Sequence, residues 1–522
     1  MKRGFHLDER AAGLLLHVTS LPGRFGAGGF GAEARAFVDF VASARLRWWQ
    51  MLPIGPGGGS PYSSTSVFAA DPMLIDIDRL VRDGLLEESE LPSPEPHGRR
   101  ADFDANRRVR RALLERAFER AKPAGWHLEE RRAYFDREAW WLADYALYAA
   151  LKRAHGETPY WAWPTGLRRH DDAALAAFAR DHNGTIELEI FLQYLLARDL
   201  EALHAYASAR GVGLMGDAPI FVAHDSADVW AHPELFAIDP KGELTEVAGV
   251  PPDAFSDEGQ LWGNPLYDWE RIAETGYRFW IARLGKAFDS FDCIRLDHFI
   301  GFQRYWAVPR ASKTAKAGAY RKGPGRALFS ALKSALGDVP IVAEDLGVLT
   351  DEVRALRDGQ KFPGMNVLQF SFDPSPGAES GRPHRYAKRS VVYTGTHDND
   401  TLAGWLGGPP GDASTEVRAS YERERAFALK YLGLPADAPL RTAVDAFVRA
   451  AFANQADLAM VPVQDVLALG RDARMNRPGV AEGNWTFRVR PDDLGADAAA
   501  RLRDLATTYG RAIERSAKDE AK

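Results

Sequence analysis

The sequence lacks the residues that several large classes of protein require. Only one of its 522 residues is cysteine, Cys293, which excludes a disulfide framework and any metal site built from several thiolates. Basic residues are not in excess, because 66 Lys and Arg stand against 72 Asp and Glu and leave a net charge of −6. Because basic residues are not in excess, we expect neither nucleic acid nor a membrane surface as a partner.

An apolar run long enough to cross a membrane is also missing. The run near the N-terminus, Leu14 to Val18, is too short for a membrane span or a signal-peptide core, and it follows a charged segment at residues 1–10. We therefore expect a cytoplasmic protein. No spacing typical of metal ligands stands out either, and we expect neither a metal nor a cofactor.

Aromatic residues, in contrast, are abundant, with 14 Trp, 16 Tyr and 27 Phe. Most of them should belong to the core. Some are candidates for sugar platforms, because the apolar face of a pyranose packs on an aromatic ring while its hydroxyls take hydrogen bonds from the rim. Together with the charge balance, this favours a neutral, hydroxyl-rich small partner.

Eight short apolar runs alternate with helical patterns along the chain. Runs of this kind, rich in β-branched residues and with little alternation, are typical of parallel strands covered on both faces. The rhythm predicts an α/β protein with a single (β/α)8 TIM barrel, spanning residues 1–522 and carrying large helical and loop insertions between barrel units. The predicted strands are 13–18, 48–54, 212–220, 365–370, 390–393 and 458–463, together with the strand stretches 291–298 and 340–345, which include the acids at their carboxyl ends.

Three segments interrupt this alternation of predicted strands and helices. Residues 75–184 are charged and predict a helix-rich insertion. Residues 221–269 are rich in Pro, Gly and aromatics and predict a loop-rich insertion that covers the active site, since long loops of this kind are usually lids or binding loops. Residues 301–324 predict a smaller loop insertion.

Acidic residues follow three of the predicted strands, at Asp297, Glu344 and Asp398. The carboxyl ends of barrel strands are where such a fold gathers its chemistry. Each acid alone is equally well explained as a cap of the next helix. The set is harder to explain that way, because Arg295 precedes Asp297 by two residues on the same strand face and His397 adjoins Asp398.

Several longer motifs resemble one known family over nearly the whole chain. The motifs are Trp-Gln-Met-Leu-Pro-Ile-Gly-Pro with Ser-Pro-Tyr (49–62), Gly-Asp-Ala-Pro-Ile-Phe-Val-Ala (216–223), Gly-Val-Pro-Pro-Asp-Ala-Phe-Ser (249–256), Gly-Gln-Leu-Trp-Gly-Asn-Pro (259–265), Arg-Leu-Asp-His-Phe (295–299), Ala-Glu-Asp-Leu-Gly (343–347), Gly-Thr-His-Asp-Asn-Asp-Thr (395–401), and Arg-Met-Asn-Arg-Pro-Gly with Gly-Asn-Trp (474–485). With these motifs the chain resembles the 4-α-glucanotransferases, the amylomaltase or disproportionating-enzyme family related to the α-amylases.

The resemblance implies a retaining mechanism on α-1,4-glucans. Asp297 would be the nucleophile, Glu344 the acid/base and Asp398 the stabiliser of the transition state. The carboxyls of nucleophile and acid/base would then lie roughly 5 to 5.5 Å apart, as direct attack requires. Donors would be α-1,4-glucans and maltooligosaccharides, and the acceptor would be glucose or another glucan.

The resemblance also implies a set of substrate-binding residues. Arg295 and His397 match positions that support the nucleophile and the sugar hydroxyls, Asp217 matches the aspartate of the third strand, and His298 adjoins the nucleophile. The remaining predicted residues, taken from the motifs that line the glucan groove, are Ser60, Tyr62, Trp262, Asn264 and Asn476.

Two other functions remain open from the sequence. A retaining α-glucan hydrolase would share all three acids and differ only in whether water reaches the intermediate. A glucan-binding protein with a dead site is the third hypothesis, which the intact acid set disfavours. The long 221–269 segment, able to exclude water, favours transfer over hydrolysis.

Overall fold

Eight parallel strands close into a barrel in the computed structural model of this chain. The structure describes residues 5–93, 98–239, 242–252, 256–409, 411, 413–480 and 482–514. Parts of the predicted insertions at 75–184 and 221–269, and of the motif at 249–256, therefore lie outside the described residues.

The strands are numbered in chain order. They are Ala11–Leu15 (β1), Trp48–Gln50 (β2), Gly213–Ala218 (β3), Glu246–Val250 (β4), Gln260–Pro265 (β5), Cys293–Leu296 (β6), Arg304–Pro309 (β7), Ala319–Lys322 (β8), Ile341–Ala343 (β9), Gly364–Val367 (β10), Ser390–Tyr393 (β11) and Leu458–Pro462 (β12).

The barrel order is β1-β12-β11-β10-β9-β6-β3-β2, and β2 pairs with β1 to close it. All eight barrel strands occur where the sequence predicts them, and Ser390–Tyr393 has the predicted bounds. The (β/α)8 fold is thus confirmed. Side chains inside the barrel, among them Trp48, Met215, Cys293 and Met460, form a buried cluster, so the barrel is a packed core and not a pore.

Helices connect the strands and cover the barrel. In the described part of the chain they are Ala32–Ser43 (α1), Ile77–Arg82 (α2), Phe103–Ala121 (α3), Leu128–Ala154 (α4), Thr165–Arg168 (α5), Asp172–Asp181 (α6), Asn183–Ser208 (α7), Ala227–Ala231 (α8), Trp269–Glu274 (α9), Arg278–Ser290 (α10), Arg326–Leu336 (α11), Asp351–Gly359 (α12), Leu402–Leu406 (α13), Thr415–Tyr431 (α14), Leu440–Ala453 (α15), Val463–Val466 (α16) and Ala496–Thr508 (α17). Among these, we find no helix with both the length and the apolar character needed to span a membrane.

A second sheet stands beside the barrel, in the order β5-β4-β7-β8. Its strands are antiparallel and come from the segments at 221–269 and 301–324. Both segments are predicted from the sequence to be loops. The structure differs because each segment forms an antiparallel strand pair, β4 with β5 and β7 with β8, and the pairing of β4 with β7 joins the two pairs into one sheet. This sheet carries Trp262 to the carboxyl end of the barrel.

Candidate active site

Arg295 lies between two carboxylates at the carboxyl end of the barrel. Asp217 on β3 and Arg295 on β6 are direct partners in the strand register, and Asp297 follows Arg295 by two residues and so shares its side of the strand. The Arg295 guanidinium is 2.7 Å from Asp217 Oδ2 and 3.0 Å from Asp297 Oδ1. Burial would lower the pKa of Arg295, but the two carboxylates outweigh it and hold that pKa well above its ordinary value.

Glu344 follows β9 and is fixed by backbone donors. Its Oε2 accepts a hydrogen bond of 2.7 Å from the His298 N–H, and its Oε1 accepts one of 3.1 Å from the Leu346 N–H. His298 has a φ of +52°, a left-handed conformation that few non-glycine residues adopt outside constrained sites. That turn places the His298 N–H against the carboxylate.

The carboxyl of Glu344 is protonated at neutral pH. Burial raises its pKa to about 8; Arg295 opposes the rise and the charge of Asp297 adds to it. Burial also lowers the pKa of His298, so its imidazole is neutral. A protonated carboxyl therefore lies next to the ion-paired carboxylate of Asp297, which is the pairing that acid-assisted displacement needs.

Asp398 is held in the loop after β11. Its Oδ1 accepts a hydrogen bond of 2.6 Å from Asn476 Nδ2, and its Oδ2 lies 3.4 Å from His397 Nε2. Arg474 donates to the backbone carbonyl of Asp398 at 2.6 Å, and the Asn476 N–H donates to the His397 carbonyl at 3.0 Å. The segment at 474–476 therefore fixes both the backbone and the side chain of Asp398, while 44% of that side chain stays exposed.

Tyr62 connects Asp217, on β3, with His397, in the loop after β11. Its hydroxyl donates to Asp217 Oδ2 at 2.8 Å and lies 2.9 Å from His397 Nε2. Its ring stacks on His397, with centroids 5.2 Å apart, and contacts Trp485 at 5.8 Å. Burial, followed by the charge of Asp217, raises the pKa of Tyr62 well above its ordinary value, so the phenol stays neutral. Ser60 supports this placement, since its Oγ accepts from the Tyr62 N–H at 3.2 Å.

Trp262 projects from β5 over His298. The two rings meet edge to face with centroids 4.9 Å apart, and Trp262 remains 37% exposed. Two residues later on the same strand, Asn264 Nδ2 donates to the Val222 carbonyl at 2.8 Å. Asn264 therefore holds the Trp262 strand to the loop after β3, and its contact with a sugar stays a prediction.

The structure gathers the three acids with the residues predicted around them, and it adds two side chains. Trp485 packs against Tyr62 and His397, and Arg474 anchors the Asp398 loop. Both residues lie in the quoted motif at 474–485, so the motif was a signal for them, although their contacts depend on tertiary packing. In the described ranges, no group of three or more His, Cys, Asp and Glu is arranged to hold a metal ion.

Comparisons with known proteins agree with this geometry. A family model described as 4-alpha-glucanotransferase matches residues 16–493. A 4-alpha-glucanotransferase of Thermus thermophilus is 46% identical over 96% of this chain and 99% of its own length, and one of Synechocystis is 43% identical over 97% and 99%. The solved amylomaltase of Streptococcus agalactiae in complex with acarbose has a TM-score of 0.90 at 34% identity, covering 97% of this chain and all of its own. The chain belongs to the 4-alpha-glucanotransferase family.

Proposed function

We propose that this enzyme transfers a segment of an α-1,4-glucan to the 4-hydroxyl of an acceptor glucose or glucan by a retaining double displacement. In this mechanism Asp297 is the nucleophile, Glu344 is the acid/base and Asp398 stabilises the transition state. The observation that carries the proposal is the contrast between two neighbouring carboxyls. Asp297 is paired with a guanidinium at 3.0 Å, whereas burial raises the pKa of Glu344 to about 8.

In the first half-reaction, Glu344 gives its proton to the leaving 4-oxygen while Asp297 attacks the anomeric carbon. The bond between that carbon and the leaving oxygen breaks, and an ester forms on Asp297. Positive charge develops at the anomeric centre in the transition state. The carboxylate of Asp398, oriented by Asn476, faces that charge and stabilises it.

In the second half-reaction, Glu344 must act as a base. Esterification removes the negative charge of Asp297, which is one of the causes that raise the pKa of Glu344, so the pKa falls in the intermediate. The deprotonated Glu344 then takes the proton of the acceptor 4-hydroxyl as that oxygen attacks the anomeric carbon. The bond between the anomeric carbon and the Asp297 carboxylate breaks, which releases the carboxylate. The two neutral groups beside the acids, His298 and Tyr62, are suited to hydrogen bonds with sugar hydroxyls.

The substrates follow from the same chemistry. We propose α-1,4-glucans and maltooligosaccharides as donors, glucose or glucan as acceptors, and the cytoplasm as the compartment. The acarbose bound to the Streptococcus agalactiae amylomaltase supports a sugar ligand at this barrel. Trp262 and the partly buried ring of Tyr62, which stacks on His397, supply aromatic surface for the sugar faces.

The test is incubation of the purified enzyme with maltotriose, followed by separation of the products. Transfer produces free glucose together with a ladder of longer maltooligosaccharides. Glucose and maltose alone would mean that water is the acceptor and that the enzyme is a hydrolase. An unchanged substrate would mean that the site is inactive.

A further inference from the structure

Trp161 is an exposed aromatic side chain that the catalytic site does not use. It lies between α4 and α5, and 40% of it is exposed. Its ring stacks on His224, with centroids 4.3 Å apart and planes 16° apart, and Tyr160 meets it edge to face at 5.3 Å. One face and one edge of the indole are thereby held in place. The remaining exposed surface is a rigid aromatic platform.

The loop that carries His224 belongs to the active-site end of the barrel. Residues 219–226 follow β3 directly, the strand that bears Asp217. Within this loop, the Val222 carbonyl accepts from Asn264, and Phe221 contacts the Trp262 ring at 6.3 Å. His224 is two positions after Val222, a span of at most about 7 Å. The platform therefore lies at the same end of the barrel as Trp262.

Asp225 fixes the platform to that loop. It accepts hydrogen bonds from the Tyr148 hydroxyl at 2.7 Å, from Lys152 Nζ at 2.7 Å and from the Tyr160 N–H at 3.1 Å. Burial lowers the pKa of His224 to about 4. The charge of Asp225 opposes this shift and that of Arg310 adds to it. The imidazole that stacks on Trp161 is therefore neutral. The platform therefore has a fixed position relative to the catalytic site.

We propose that Trp161, supported by His224, is a distal contact for the glucan chain, on which a glucose unit remote from the cleaved bond stacks. The inference rests on the proposed function, because a polymeric substrate extends beyond the residues at the bond that is broken. A rigid, neutral, exposed aromatic ring suits the apolar face of a pyranose. Short substrates do not reach the platform, and long ones do.

The test compares amylose with maltotriose as donor. Trp161→Ala raises KM for amylose roughly three- to tenfold, the loss expected for one stacking contact, while kcat/KM for maltotriose stays within about twofold of wild type. Trp161→Phe restores most of the loss, because it keeps an aromatic face. The matched control is Trp140→Ala: Trp140 is 49% exposed on α4 but packs against Phe68, and its replacement leaves both donors unaffected.

An unchanged KM for amylose in Trp161→Ala would overturn the inference. Equal losses of activity on amylose and on maltotriose would also overturn it, because they would indicate that Trp161 has a structural role. Failure of the wild type to use maltotriose would instead defeat the proposed function. In that case affinity electrophoresis of wild type and Trp161→Ala in amylose-containing gels tests the platform alone, and equal retardation of the two would contradict it.

Discussion

Glu344 accepts a hydrogen bond of 2.7 Å from the backbone N–H of His298, the residue that follows Asp297. The proposed acid/base is thereby tied to the backbone next to the proposed nucleophile, although the two acids are 47 positions apart in the sequence. The bond depends on the left-handed conformation of His298, whose φ is +52°. A fixed geometry between the two carboxyls is what a double displacement requires, because small misplacement costs rate.

Replacement of Asp297 by Asn should abolish turnover while leaving glucan binding largely intact. The change removes the nucleophile but little of the shape of the site. We expect the rate on maltotriose to fall by at least about a thousandfold, as is usual for the loss of an essential group. The measurements are kcat and the affinity for amylose. A residual rate above about a thousandth of the wild-type rate would contradict the assignment of the nucleophile.

Replacement of Glu344 by Gln should block transfer from ordinary glucans, whose leaving group needs a proton. A substrate with a good leaving group, such as an α-glucosyl fluoride, does not need that proton and should still esterify Asp297. With no base to activate an acceptor, the glycosyl-enzyme should accumulate. Mass spectrometry of the intact protein would detect it, and its absence would rule out Glu344 as the acid/base.

The same variant should change how stability depends on pH. Folding raises the pKa of Glu344 from its ordinary 4.5 to about 8, so the stability that this carboxyl contributes is complete below pH 4.5 and is lost as pH rises to 8. Glutamine does not ionise. Glu344→Gln should therefore gain stability relative to wild type across this window, by on the order of a few kcal/mol.

Urea unfolding of both proteins at pH 5 and pH 8.5 measures this difference. Glu422→Gln is the control, because it makes the same chemical change at an exposed carboxyl on α14. A constant difference between Glu344→Gln and wild type at both pH values would show that the pKa of Glu344 is not raised by folding.

Replacement of Trp262 by Ala should lower transfer more than cleavage. Water at roughly 55 M competes with a millimolar sugar for the ester, so transfer depends on a positioned acceptor and on few competent waters. The ratio of new reducing ends to transferred segments should rise. Leu261→Ala is the control, because Leu261 is similarly exposed but points to the other side of β5. A parallel fall of both rates in Trp262→Ala would make the residue a general substrate contact.

The barrel was predictable from the sequence because its signals are local. A buried parallel strand needs an apolar run of four to eight residues, and the chain shows eight of them. The acids could be placed in one cleft for a similar reason. Asp297, Glu344 and Asp398 each follow a strand end, and the carboxyl ends of barrel strands face one side.

The second sheet was not predictable in this way. Its strands at Glu246–Val250 and Arg304–Pro309 are short, and they pair with each other across more than 50 residues of chain. Such pairing depends on which segments meet in space, and no local pattern encodes it. From the sequence alone, both segments are consequently predicted to be loops.

The sequence by itself determined which residues are candidates for the chemistry and at which strand ends they stand. Only the tertiary structure decided the surroundings of each candidate. The pKa of Glu344 is raised because burial withdraws water from its carboxyl and Asp297 lies near it. Asp398 is oriented because Asn476, 78 residues later, comes within 2.6 Å of it. Burial and distance are properties of the folded chain, and protonation and orientation follow from them.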